Sequence, residues 1–278
     1  MGRARRPKHL DERFDWYADA IEAEPVSCAG RWAERHFPQA REVRLDLGCG
    51  KGAFVLASAA AEPDVLFVGM DCDRTCVAMA AKAALAAGLP NAVFCLGDAD
   101  ELSTYFAPGE LGRLHLNFCT PWPPTHDALQ RLTHAERLVA YRPLLAPGAE
   151  LRFRTDSVPL FEWSLPQFLL AGYDVTWQTA DLHAVEPGGI ATEYERRLSD
   201  AGAVIHALTA VPSAGEPPCA EAREAGQRDI PQSLASYLPD DLESLAYVPY
   251  GMEDTVRNLR NYRAKQARRA ARAATGAC

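Results

Sequence analysis

No stretch of the chain approaches the ~20 consecutive apolar residues that a membrane-spanning helix needs, which excludes an integral membrane protein of that kind. The opening carries Arg3, Arg5, Arg6 and Lys8 without an apolar core behind them, so no secretory signal is expected and a cytoplasmic protein is. The eight cysteines lack paired metal-ligand spacing. Cys72 and Cys76 can share a helix face, but no second pair of Cys or His stands near them to complete a tetrahedral site, so no metal is expected and the thiols read as reduced packing residues. Nor is there an excess of positive charge: the net charge is −8, which gives no global attraction to nucleic acid. Screening confines exposed charges to about 8 Å at cellular salt, so local basic patches remain able to act. One further absence is local. The stretch Leu116 to Pro124, LNFCTPWPP, follows a strand-like run and has no carboxylate, lysine or histidine, although this is where an α/β enzyme usually keeps its chemistry.

Short apolar runs alternate with longer helical ones from residue 43: VRLDL then AFVLASAAA, VLFVGM then CVAMAAKAALAAG, AVFCL, RLHLNF, a helix through RLVAYRPLL, and ELRFRT. That order predicts an α/β fold with a doubly wound, mostly parallel sheet. YDVTWQTADL and AVIHALTAV read as two more strands, accommodated by an antiparallel pair at the sheet end. The composition suggests four regions: a basic N-terminal segment with a first helix over 1–42, the principal domain over 43–212, a linker over 213–254 and a basic C-terminal helix or tail over 255–278. Residues 214–254 hold nine acids and two arginines and are rich in Pro and Ala, whereas 255–278 hold seven basic residues and no acid. On a helical wheel Val256, Leu259, Tyr262, Ala270 and Ala273 form a narrow stripe, with Arg257, Arg260, Arg263, Lys265, Arg268, Arg269 and Arg272 around it.

The first strand runs into Asp46-Leu47-Gly48-Cys49-Gly50-Lys51-Gly52, a turn whose glycines let the backbone approach a ligand. A strand-to-helix turn requires glycine for steric reasons as well, so the turn alone is a weak signal. The acids around it add weight. Asp71 ends the second strand, where a carboxylate can accept both hydroxyls of a ribose, and Asp98 follows the third, where it can meet an adenine amino group. Asp46 can face the amino-acid end of the same ligand, or serve only as a strand-end cap. Three acids at the ends of successive strands around a glycine turn, with no phosphate motif, fit S-adenosylmethionine better than a dinucleotide, for which G-x-G-x-x-G is expected.

The quoted segments LDLGCGKGAF, GDADEL, FAPGELGRLHLNF, PWP, RLTH, RTDSVPLFEWS, DLH and TEYERRLSDAG occur in an order, across roughly the first 210 residues, that resembles the bacterial tRNA (guanine-N7)-methyltransferases. The resemblance implies a class I methyltransferase fold, S-adenosylmethionine as methyl donor and tRNA as partner and substrate, methylated at N7 of a variable-loop guanine. It also implies that Asp46, Gly48, Gly50, Asp71 and Asp98 contact the donor, and that Asp156, Thr192, Glu193, Tyr194 and Glu195 contact the substrate. Carboxylates of the latter group can accept from guanine N1–H and its exocyclic amine. As residues alone, Thr192 to Glu195 read equally as a helix N-cap with Glu195 returning the bond, and Asp156 as the cap of the helix beginning near Pro159. The loop departs from the family pattern: Thr120 takes the place of an aspartate, Pro124 that of a lysine, and of the basic run that follows only Arg131 remains. Thr120 is therefore the candidate catalytic position, orienting the base through its hydroxyl, with Asp127 as an alternative source of charge. The basic termini either supply the missing phosphate contacts or are solubilising tails. Two other functions stay open: a silent tRNA-binding paralogue, and a methyltransferase for another substrate.

Overall fold

The computed structural model describes residues 10–186, 189–243 and 245–275. Among them, strands β1 (Ile21–Glu22), β2 (Glu42–Leu47), β3 (Val65–Asp71), β4 (Ala92–Leu96), β5 (Leu111–Asn117), β6 (Leu145–Thr155), β7 (Tyr173–Thr179) and β8 (His206–Pro212) form one sheet in the order β1-β4-β3-β2-β5-β6-β8-β7. The helices are α1 (Leu10–Trp16), α2 (Trp32–His36), α3 (Ala53–Ala61), α4 (Arg74–Ala87), α5 (Leu102–Tyr105), α6 (Ala135–Tyr141), α7 (Val158–Leu170), α8 (Leu182–Val185), α9 (Glu193–Asp200), α10 (Ala220–Arg228) and α11 (Glu253–Thr275). Strands β1 to β6 pair in parallel, and β8 lies antiparallel between β6 and β7. The mostly parallel sheet with an antiparallel end is as the apolar alternation predicts.

Strand β3 is apolar from Val65 to Met70 and every one of these residues is buried, as in a parallel strand covered on both faces. Helix α4 starts where the Asp73 carboxylate accepts from the Thr75 amide at 2.7 Å, and it ends at Gly88 in the left-handed region. The chain winds from β2 outward through β3 and β4, then crosses back to β5 on the other side of β2. The carboxyl ends of β2 and β5 thus flank the point where strand order reverses, the place where open α/β sheets bind ligands.

The expected linker over 213–254 is instead packed onto the body. Leu234, Leu238, Leu242 and Met252 are buried in the same core as the sheet residues Leu114 and Phe153. Arginines pin the start of the segment. The Arg142 guanidinium donates to the carbonyls of Gly172, Ser213 and Gly215, and Arg223 makes a paired contact with Glu136 on α6, at 2.8 and 2.7 Å. Averaged composition hid this because a few well-spaced apolar residues seat a segment that is polar elsewhere. The apolar stripe of α11 is likewise shorter than the wheel suggests. Val256 is buried and Leu259 packs on the core, but Tyr262 is 59 % exposed. Among the described residues no helix is long and apolar enough to cross a membrane.

If the C-terminal segment folds as part of the body, Leu234→Ala should lower the unfolding free energy by about 2–5 kcal/mol. The measurement is the urea midpoint at unchanged slope; a midpoint equal to that of the parent chain would mean that the segment is only tethered.

Candidate functional site

Asp46, Asp71 and Asp98 line up along the carboxyl ends of β2, β3 and β4. Asp46 is 2 % exposed and accepts from the Asn117 amide nitrogen at 2.9 Å, a bond that joins the ends of β2 and β5. Burial pushes its carboxyl up to about 7; Asn117 opposes the rise and the Asp71 charge adds to it. Asp71 organises the glycine turn: its Oδ2 accepts from the Gly50 amide and its Oδ1 from the Asp73 amide, both at 2.8 Å. Gly48 and Cys49 donate to the Met70 carbonyl at 2.8 and 3.0 Å. The turn runs through positive φ at Gly48, Gly50 and Gly52, and a Cβ on Gly50 would meet nothing within 4 Å. Open space therefore lies over the turn, where a ligand can approach the backbone. Asp98 is exposed and caps the turn after β4 by accepting from the Asp100 amide at 3.0 Å.

The LNFCTPWPP loop is built around a residue that the sequence places in a basic run. Arg131 is fully buried, so it is not a phosphate contact. Its guanidinium donates to the carbonyls of Pro121, Trp122, Pro123 and Pro124 at 2.8–3.4 Å, and to the Gln232 carbonyl of the C-terminal segment at 2.8 Å. It lies 4.3 Å from the Trp163 ring centroid, and burial pushes its pKa down to about 10. Phe118 and Trp122 adopt φ of 51° and 47°, a region non-glycine residues rarely occupy. Thr120, between these two strained positions, is exposed. Asp127 lies on the following turn, where its Oδ1 accepts from Gln130 at 3.2 Å.

At the far side of the crevice, Asp156 follows the end of β6 and is not a helix cap; Ser157 caps α7 by accepting from the Leu160 amide at 3.3 Å. Asp156 instead accepts a 2.6 Å hydrogen bond from the Tyr247 hydroxyl. Thr192 caps α9, its hydroxyl accepting from the Glu195 amide at 3.0 Å. The reciprocal half of a capping box is not completed: Glu195 is 1 % exposed and neither carboxylate oxygen makes a hydrogen bond. Arg154 Nη1 lies 3.9 Å and His183 Nε2 3.4 Å from that carboxylate. Burial raises the Glu195 carboxyl above the usual range, opposed by Arg154, His183 and the Thr192 contact. Tyr194 meets Phe118 edge to face at 5.5 Å, so the loop and the start of α9 touch directly. The side chain of Glu193 lies outside the described residues, as do Arg3, Arg5, Arg6 and Lys8.

Sequence reasoning misses four participants. Asn117, Arg154, His183 and Tyr247 surround the acids, and strand alternation carries a signal for Arg154 alone, which shares a face of β6 with Arg152 by period two. Asn117 also presents a buried Oδ1 with no hydrogen-bond partner. Arg154, whose pKa burial lowers despite Glu195, sits on the strand between the two acidic ends of the site and interacts with both Glu195 and Asp46. Outside the crevice Glu22, Cys28 and His36 converge. Cys28 Sγ, His36 Nε2 and Arg35 Nε all approach the same Glu22 oxygen, at 3.2, 3.0 and 3.0 Å, so the cluster satisfies itself by hydrogen bonds and charge. At the crevice, by contrast, acceptors along three strand ends, open space over Gly50 and an unpartnered amide oxygen fit a ligand that carries an ammonium group and a ribose.

A family model described as "Putative methyltransferase" matches residues 40–208. The chain is 35 % identical to a tRNA (guanine-N(7)-)-methyltransferase of Limosilactobacillus fermentum over 75 % of its own length and 97 % of the relative's. It is 36 % identical to the enzyme of that name from Lactococcus lactis subsp. cremoris, again over 75 % and 97 %. Among solved structures it is similar to the 16S rRNA methyltransferase KamB, with 27 % identity and a TM-score of 0.52, covering 66 % of this chain and 93 % of that one. A sheet reversed beside its first long strand, three acids at successive strand ends and near-full-length kinship with the curated enzymes lead to one conclusion: the chain belongs to the S-adenosylmethionine-dependent tRNA (guanine-N7-)-methyltransferase family.

Proposed function

We propose that this chain transfers a methyl group from S-adenosylmethionine to N7 of a variable-loop guanine in tRNA, with Asp46, Gly48, Gly50, Asp71 and Asp98 toward the donor and Asp156, Thr192, Glu193, Tyr194 and Glu195 toward the guanine. The observation that carries the reading is Glu195. A carboxylate 1 % exposed, with both oxygens lacking hydrogen bonds, is costly to hold unless a ligand completes it. Guanine fits: its N1–H and exocyclic amine are two adjacent donors for two carboxylate oxygens, whereas adenine offers an acceptor at N1. Arg154 and His183 oppose the rise that burial imposes on this carboxyl, and so favour its acceptor form.

The bound donor supplies a methyl group activated by its sulfonium. The protein's work is then placement, because guanine N7 has a free lone pair and no proton has to be removed before it attacks. The strained, proline-rich loop and the Phe118–Tyr194 contact give the guanine a stiff wall, and alignment of nucleophile and methyl is a large part of the acceleration in such displacements. The product ring is cationic. Thr120 offers no charge to it, whereas an aspartate about 4 Å away would contribute at most ~4 kcal/mol at an effective dielectric near 20.

Incubated with tRNA and labelled donor, the protein should form N7-methylguanine in the nucleoside digest. Glu195→Gln should lower kcat/KM about 100-fold or more, because the amide turns one acceptor into a donor facing N–H groups. Thr120→Asp should raise kcat by roughly 10- to 1000-fold. No product at micromolar enzyme that demonstrably binds tRNA and donor would establish the silent-paralogue reading instead.

Asp46 generates a separate expectation. Its folded-state value of about 7 lies above the ordinary 3.8, so between these values the native state holds a proton that the unfolded state has lost, and stability falls as pH rises through that window. The penalty is absent below the lower value and complete above the upper one. In the free protein, Asp46→Asn should therefore stabilise by roughly 4 kcal/mol at most at pH 8 and by nothing near pH 4, as read from denaturant midpoints. Donor binding should show the converse: the ammonium favours ionised Asp46, so affinity should decline as pH drops below about 7 and lose that dependence in the variant.

A further inference from the structure

The segment after Pro212 lies beyond the family-matched residues, yet its root is built into the mouth of the crevice. Tyr247 holds Asp156 at 2.6 Å, the Leu234 amide donates to the Pro123 carbonyl at 3.0 Å, and a Cβ on Gly251 would stand 3.2 Å from the Pro121 ring. Helix α11 leaves from this root. Met252 and Val256 are buried, whereas every residue from Ala264 through Ala270 is exposed, so the second half of the helix projects from the body.

The cations on this helix divide into two groups. Arg257 pairs with Asp254 on the same helix at 2.6 Å, whereas Arg260 donates to the Leu242 carbonyl at 2.6 Å and Arg263 to the carbonyls of Pro239 and Asp240, so these last two tie the helix to the preceding segment. Lys265, Arg268 and Arg269 have no acidic partner among the described residues, and the sequence contains no acid after Asp254. Their spacing puts them on one side of the helix, at i, i+3 and i+4. The loop at the crevice, meanwhile, retains no cation for a phosphate, since Pro124 stands where a lysine would and Arg131 is buried.

We propose that the projecting half of α11 is an RNA-backbone-binding arm, with Lys265, Arg268 and Arg269 contacting tRNA phosphates remote from the methylated base. At 1.5 Å per residue these side chains stand roughly 20–25 Å along the helix from Met252, too far to reach the target guanine and suited to a neighbouring duplex arm of the same tRNA. The root at Tyr247 and Gly251 couples the arm to the crevice. This inference rests on tRNA being the substrate, but not on methyl transfer occurring.

The test is tRNA affinity without donor, measured by fluorescence anisotropy across a potassium chloride series, for the full chain and for K265Q/R268Q/R269Q. Each lost phosphate contact should lessen the slope of log affinity against log salt by about 0.7–0.9, so the triple variant should be shallower by roughly 2–3 and bind at least about 10-fold more weakly at low salt. R269Q alone should change the slope by about 1. An unchanged melting temperature separates this from misfolding. Equal slopes and affinities, or a parent chain that binds no tRNA, would overturn the proposal. A changed slope in a protein that forms no N7-methylguanine would leave the arm standing and remove the catalytic reading.

Discussion

One buried guanidinium holds the crevice together. A loop with prolines at positions 121, 123 and 124 has carbonyls to satisfy but few amides to offer, so it can join neither a strand ladder nor a helix. Arg131 resolves this by bringing a fork of donors to four successive loop carbonyls and to Gln232. Its charge is kept in the interior by those dipoles and by the face of Trp163. The same contact fastens the C-terminal segment to the loop, so the shape of the crevice and the docking of the extension share one cause.

That clamp explains how the backbone at Phe118 and Trp122 can stay in a disfavoured region. Strain of this kind persists only where the surroundings over-determine it. Here β5 supplies one end, Arg131 the middle, and the Leu234 and Gly251 contacts the other. The result is a rigid wall against which Tyr194 can rest. Rigidity is the contribution the chemistry calls for, because attack by a free lone pair asks for alignment more than for a base.

Charge in the crevice follows a simple order: acids at the β2 and β3 ends, Arg154 on β6, then Glu195 and His183 beyond it. Arg154 opposes the rise that burial imposes on both the Asp46 and the Glu195 carboxyl, while the Asp71 charge adds to that rise at Asp46. Asn117 contributes by joining β2 to β5 across the switch point with a single side-chain bond.

Much of the architecture was legible in the sequence. Period-two and continuous apolar runs marked the strands, and the glycine turn with acids at successive strand ends marked the crevice proposed here for the donor, because both depend on local stereochemistry and spacing. Thr192 was readable as a cap for the same reason. Three features were not legible. Arg131 looked like a surface cation, residues 213–254 looked like a tether, and Tyr247 carried no signal at all, since each acquires its role from a partner 10, 101 or 91 residues away. Sequence by itself determined the elements and the kinds of groups available to the crevice; only tertiary structure decided which of them are buried against which, because burial and long-range pairing arise when distant segments pack and leave no trace in local periodicity.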